Sequence, residues 1–158
     1  MNKTVNVTTP SDCEIQVTRE FNAPAQLIFD YHTKPEKMRI WLIGPPGWSL
    51  TVCEIDLRVG GQFRNIFRSD TGPEELGVRG EFREIVAPTR LAHTETMDGI
   101  PGEWLETLVL KQSGATTTAT TTWLYASRDA RDQALKSGII EGASFNFDRL
   151  EQLMSEAA

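Results

Sequence analysis

The sequence predicts an α+β domain in which a single antiparallel sheet carries one long amphipathic helix, and three observations predict it. From Trp48 to Tyr125 the chain is a succession of short strand-forming runs broken by glycine-bearing turns, with no helical period between them. Ahead of these runs stand one alternating segment and two short helical ones. Behind them, from Ser127 to about Met154, apolar residues recur at spacings of three and four: Leu135, Ile139, Ala143, Phe147, Leu150 and Met154. Such a stripe needs an apolar surface to lie on, and the sheet is the only candidate.

Taken in order, residues 1–12 read as a polar tail and residues 13–158 as one domain. Glu14–Phe21 alternates with period two, Ile15 and Val17 sharing a face with Arg19, and reads as a strand. Asn22 is placed to cap a short helix from Ala25 to Tyr31, with Pro24 in its first turn. Thr33 and Glu36 have the spacing of a capping box and open a second short helix ending near Trp41, where the Gly-Pro-Pro-Gly run at 44–47 stops it. Strands follow at 48–57, 62–68, 77–86, 90–97 and 104–111, with turns at Gly60-Gly61, 70–73, 98–102 and Ser113-Gly114. Ser127 is the expected N-cap of the final helix.

Between Gly114 and Tyr125 lie six threonines in the seven positions 116–122. A linker would carry more Gly, Ser or Pro, whereas threonine is β-branched and this run ends in Trp123-Leu124-Tyr125. It reads as the last strand. Alternation puts Thr117, Ala119, Thr121, Trp123 and Tyr125 on one face, the favoured inward one because it collects the aromatic rings. The threonines then serve either as a solvated ladder or as hydroxyls offered to a ligand.

The chain of 158 residues, 39% apolar and 24% charged, is ordinary globular material. A net charge of −6 with no dense Lys/Arg cluster argues against nucleic acid, which demands a basic face. No run approaches the roughly 18 apolar residues of a membrane span. Cys13 and Cys53 stand alone, without metal-type spacing, and the N-terminal residues carry no apolar signal core; both features suit a cytoplasmic protein.

Several stretches carry a resemblance: EIQVTREFNAP at 14–24, PEKMRIWLIGP at 35–45, DLRVGGQF at 56–63, GEFREIVAPTRL at 80–91 and, most telling, SRDARDQALKSGIIEGASFNFDRL at 127–150. In this order they resemble the Hsp90-ATPase-activator-homologue-like family, within the START/Bet v 1-like superfamily. The resemblance implies a helix-grip fold, a curved antiparallel sheet of about seven strands wrapped around the C-terminal helix, with an internal apolar cavity used to hold hydrophobic molecules. Many relatives carry Trp-Trp-Gly-Pro after the second helix. Here Leu42 replaces the second tryptophan and Ile43 is inserted, so the cavity mouth is expected to differ.

A pocket of that kind needs aromatic walls and a few placed polar groups. The candidates for its lining are Trp41, Phe63, Trp104, Trp123 and Tyr125 as aromatic surface and Thr117 and Thr121 as hydroxyls. Gly138 and Gly142 join them, spaced four apart with Ala134 along the flank of the helix stripe. Glycine within a helix costs about 1 kcal/mol relative to alanine, so either close sheet–helix approach or space for a ligand should offset it. His93 and Glu95, two apart on one strand, point the same way and complete the list as the groups that would orient a polar head. A His-x-Glu pair alone lacks the third ligand a metal needs, and His32 has nothing in the sequence to bring it near; no metal and no cofactor is expected. Cys53 reads as a buried inert thiol, and Glu54, Asp56, Glu81, Glu84 and Glu106 as a solvated outer face. No nucleophile elbow, phosphate loop or dinucleotide fingerprint is present, so no catalytic residue is assigned.

The expected function is therefore binding or carriage of a small hydrophobic molecule, with a cyclase- or hydrolase-type enzyme as the alternative. A role with an Hsp90-type chaperone ranks third, because eukaryotic activators add an N-terminal domain for which 158 residues leave no room. The strand edge near Glu14 or the aromatic mouth would support a homodimer, though nothing in the sequence forces one.

Overall fold

The computed structural model describes residues 5–44 and 46–157; Pro45, part of the predicted helix stop and of the Leu42-Ile43-Gly44-Pro45 departure, lies outside the described residues. The chain runs β1 (Asn6–Thr8), β2 (Glu14–Phe21), α1 (Ala25–Thr33), α2 (Pro35–Trp41), β3 (Trp48–Ile55), β4 (Gln62–Ser69), β5 (Glu75–Val86), β6 (Arg90–Met97), β7 (Trp104–Ser113), β8 (Thr116–Leu124), α3 (Arg128–Lys136) and α4 (Ile139–Ala157). The strands form one curved antiparallel sheet in the order β1-β2-β8-β7-β6-β5-β4-β3, the α+β class expected from the sequence, with eight strands where about seven are expected. Register shifts between Leu50 and Val52 and between Phe82 and Glu84 add bulges to β3 and β5, the usual device for bending a sheet.

Alternation decides what faces the core. Ile15, Val17, Arg19 and Phe21 of β2 are buried, as are Thr117, Ala119, Thr121 and Trp123 of β8, so the threonine strand turns its aromatic-bearing parity inward. Its other parity is half-buried outside, where Gln16 Nε2 donates to Thr122 Oγ1 at 3.1 Å. Phe147, Leu150 and Met154 of α4 close onto this face. Arg19 is buried with its guanidinium 2.5 Å from Asp148 of α4, which ties helix to sheet.

Four local expectations need correction. The predicted single C-terminal helix is two, because Gly138 adopts φ 88°, a left-handed conformation that stops α3 at Ser137. Its Ser127 cap is present, accepting from the Ala130 amide at 3.1 Å. The helix α1 begins after Pro24 rather than Asn22, with no side-chain cap bond at that position. Thr33 does not cap α2: its hydroxyl donates backward to the Phe29 carbonyl at 2.8 Å, and Lys34 holds the N-cap position. Finally, the polar tail contributes β1, which pairs Asn6, Val7 and Thr8 with Thr18, Val17 and Gln16, so the edge expected at β2 is covered there.

Candidate functional site

Between the concave face of the sheet and α4 lies a cavity of about 360 Å³. Its apolar wall is built by every layer: Met38 and Trp41 from α2, Phe63 and Phe67 from β4, Val78 and Phe82 from β5, and Ile139, Ala143 and Phe147 from α4. Trp41 is held by its indole N–H, which donates to the Tyr31 carbonyl at 2.7 Å, and its ring stacks toward Phe147 at 6.5 Å between centroids.

The polar groups converge at one end because of register. Across the sheet, Phe82, His93, Glu106 and Trp123 are successive partners on β5, β6, β7 and β8, and Glu95 faces Trp104 one step along. The His93 Nε2 atom lies 3.1 Å from Glu106 Oε2, and its Nδ1 lies 3.3 Å from the Thr94 carbonyl and 3.8 Å from Glu95. Trp123 donates its indole N–H to Glu106 Oε1 at 2.6 Å. The imidazole packs edge-on against Phe63 and Phe82, with centroids 5.0 and 5.9 Å away.

These ionisable groups are removed from water, and each responds to its neighbours. Burial pulls the His93 imidazole down, but the hydrogen bond and charge of Glu106, joined by the charge of Glu95, outweigh it and raise its pKa to about 9. Burial, then the adjacent charge of Glu106, pushes the Glu95 carboxyl well above the ordinary carboxylate range against the pull of His93. Burial would raise Glu106 too, yet its bond to His93 holds it below its ordinary value. Burial lowers His32, whose Nδ1 lies 2.8 Å from the Ile28 carbonyl, and raises Tyr125. Burial and the neighbouring carboxylate thus disfavour charge on Glu95, while the bond to His93 favours it on Glu106, so the two carboxyls differ in their readiness to hold a proton beside one imidazole.

Of the residues singled out in the sequence, Trp41, Phe63, His93, Glu95, Trp104, Thr121, Trp123 and Gly142 line this cavity. Three do not. Thr117 is fully buried and donates to the Ala23 carbonyl at 2.7 Å, Gly138 is the helix break, and Tyr125 stands behind Trp104, with centroids 5.9 Å apart. A Cβ placed on Gly142 would meet no atom within 4 Å, so this glycine leaves space rather than permitting close approach. Gly80 shows the opposite case, since its Cβ would fall 1.8 Å from the Thr94 carbonyl oxygen and 2.6 Å from the Phe63 ring.

The sequence reading missed four polar members. Glu106 was assigned to the outer face, and the structure corrects this, because it shares its parity with Trp104, Leu108 and Leu110 and points into the cavity. His32 arrives from α1 and packs against Trp41 with its ring tilted by 59° and centroids 4.8 Å apart. Asn65 and Asn146 line the wall with their Oδ1 atoms buried and unpartnered. The Trp104 indole N–H is likewise buried without a hydrogen-bond partner, although its dipole acts on the Glu95 carboxyl.

With this geometry in place, comparison with known proteins is informative. The family described as activator of Hsp90 ATPase homolog 1-like protein matches residues 22–155. A crystal structure of a Rhodobacter sphaeroides protein superimposes with a TM-score of 0.91 at 25% identity, covering 96% of this chain and 98% of that one. A Mycobacterium smegmatis protein gives 0.85 at 25% identity, covering 98% and 100%. A Nitrosomonas europaea protein gives 0.83 at 23% identity over 93% and 97%, a likeness of fold alone. No curated protein matches the sequence. No helix among the described residues is long and apolar enough to cross a membrane.

Proposed function

The chain belongs to the activator of Hsp90 ATPase homolog 1-like family, and from that premise we propose that it binds a compact hydrophobic molecule in the cavity between sheet and α4. The observation that carries the reading is the cavity volume of about 360 Å³ lined mainly by aromatic and aliphatic side chains. That volume lies at the lower end of the roughly 300–1,000 Å³ of ligand pockets, which suits a compact ring-bearing molecule better than a two-chain lipid. The apolar wall supplies affinity, and the His93–Glu95–Glu106 end fixes the orientation of a polar head. Native mass spectrometry of freshly purified protein, followed by identification of what denaturation releases, tests it. A stoichiometric apolar compound is the expected result. Protein that is empty and that also fails to take up a panel of compact aromatic and isoprenoid compounds would overturn the proposal.

One observation favours a second reading. An imidazole hydrogen-bonded to one carboxyl at 3.1 Å, with a second carboxyl 3.8 Å away, supplies the components of general acid–base catalysis. On this reading the same ligand is a substrate, and His93→Ala abolishes turnover while retaining binding. The Hsp90-type role rests on the family description alone; stimulation of a chaperone ATPase by the purified protein would be needed to support it.

A further inference from the structure

From the polar end of the cavity we infer a metal site: we propose that His93, Glu95 and Glu106 bind a single divalent first-row transition ion, with an open coordination position turned toward the cavity. These three residues are the one group of its kind among the described residues, each offering a ligand atom within 4.8 Å of the other two. Bonds of about 2.0–2.2 Å to nitrogen and oxygen need ligand atoms somewhat closer than this, a contraction within reach of side-chain rotation. One imidazole and two carboxylates supply two negative charges once the ion has displaced their protons, matching a dication.

Outer contacts already orient the donors. The Nδ1 of His93 lies against the Thr94 carbonyl, so Nε2, 3.1 Å from Glu106 Oε2, is the atom left for the ion. Glu95, 3.8 Å from Nδ1, turns toward the ion on binding. The Trp123 N–H occupies Glu106 Oε1, so Oε2 is the oxygen left on that carboxylate. Asn65, 4% exposed and paired in register with Val78, lines the same cavity with its Oδ1 buried and unpartnered, an acceptor for a donor on a molecule bound between it and the ion. On the surface, Asp98 is engaged with Arg64 and Arg79, and Glu75 with Arg68. Three protein ligands and one free position is the arrangement of catalytic rather than structural zinc. An oxygen donor on a bound molecule would complete the sphere. The inference concerns a different occupant of the cavity and stands whether or not an organic ligand binds.

Chelator-washed full-length protein titrated with Zn²⁺ by calorimetry, and with Co²⁺ by visible absorption, tests it. The expected result is one ion per chain and the intense visible bands of low-coordinate cobalt. Glu95→Gln and Glu106→Gln should each weaken binding by more than the roughly 10–100-fold typical of losing an outer-shell partner, while Glu54→Gln at an exposed position changes nothing. Thermal melts identify which variants fold, and if Glu106→Gln does not, Glu95→Gln and His93→Gln carry the test. Failure of the wild-type protein to take up one ion per chain, or uptake unaltered in the folded variants, overturns the site. Neither result bears on uptake of apolar compounds, which mass spectrometry reads separately.

Discussion

His93 and Glu106 face one another across β6 and β7, Nε2 to Oε2 at 3.1 Å, and this pair is the anchor of the cavity's polar end. Neither partner is well solvated, with side-chain exposures of 12% and 22%. In metal-free protein, Glu106→Gln removes the carboxylate that His93 Nε2 bonds and leaves the imidazole only Glu95, 3.8 Å away, as an acidic neighbour. Loss of a hydrogen bond to a charged group costs about 1.5–3 kcal/mol. Urea denaturation at pH 7 should report a loss in that range. Unchanged stability would mean that the pair contributes nothing net.

The same pair explains what was and was not legible in the sequence. The fold was legible because alternation on β2 and β8 and the three-four stripe of α4 each leave one parity or face apolar. Glu106 was not, because β7 carries apolar residues on both parities, Leu105 and Val109 on one and Leu108 and Leu110 on the other, so a carboxylate could belong to either. His32 had no local signal at all, since only the docking of α1 and α2 against the sheet brings it to the cavity. Gly138 and Gly142 looked equivalent at a spacing of four, and only backbone conformation separates them.

That separation is measurable. Gly138 holds φ 88°, where a Cβ is strained, so Gly138→Ala should destabilise by about 1–2 kcal/mol. Gly142 has helical backbone and open space beyond its Cα, so Gly142→Ala should stabilise by about 0.5–1 kcal/mol. Two identical substitutions four residues apart should therefore shift Tm in opposite directions. A loss at both positions would show that the space beside Gly142 is filled.

A larger side chain at the same place separates folding from binding. Gly142→Leu projects into the cavity beside Ala143 and Asn146 and occupies volume that a ligand would need. Uptake of compact apolar compounds should fall at least tenfold while the far-ultraviolet spectrum and Tm remain those of the wild type. Wild-type uptake in Gly142→Leu would place the bound molecule elsewhere on the protein.

The acid limb of stability should belong in part to His32. Burial lowers its pKa from 6.5 despite the backbone bond to Ile28 and the negative charge of Glu106; the nearby His93 charge lowers it further. Its folded value therefore lies below its unfolded one, so the unfolded state binds the proton more readily. The contribution to stability is fully present above pH 6.5 and is lost as pH falls through the folded value. Replacing the ring by His32→Asn removes that titration, and the stability of the variant should vary less than that of the wild type between pH 7 and pH 5. The histidine resonances provide the direct check: the His32 ring should remain neutral below pH 6.5 in the folded protein, whereas titration at or above 6.5 would show that the ring is solvated and outside the cavity wall.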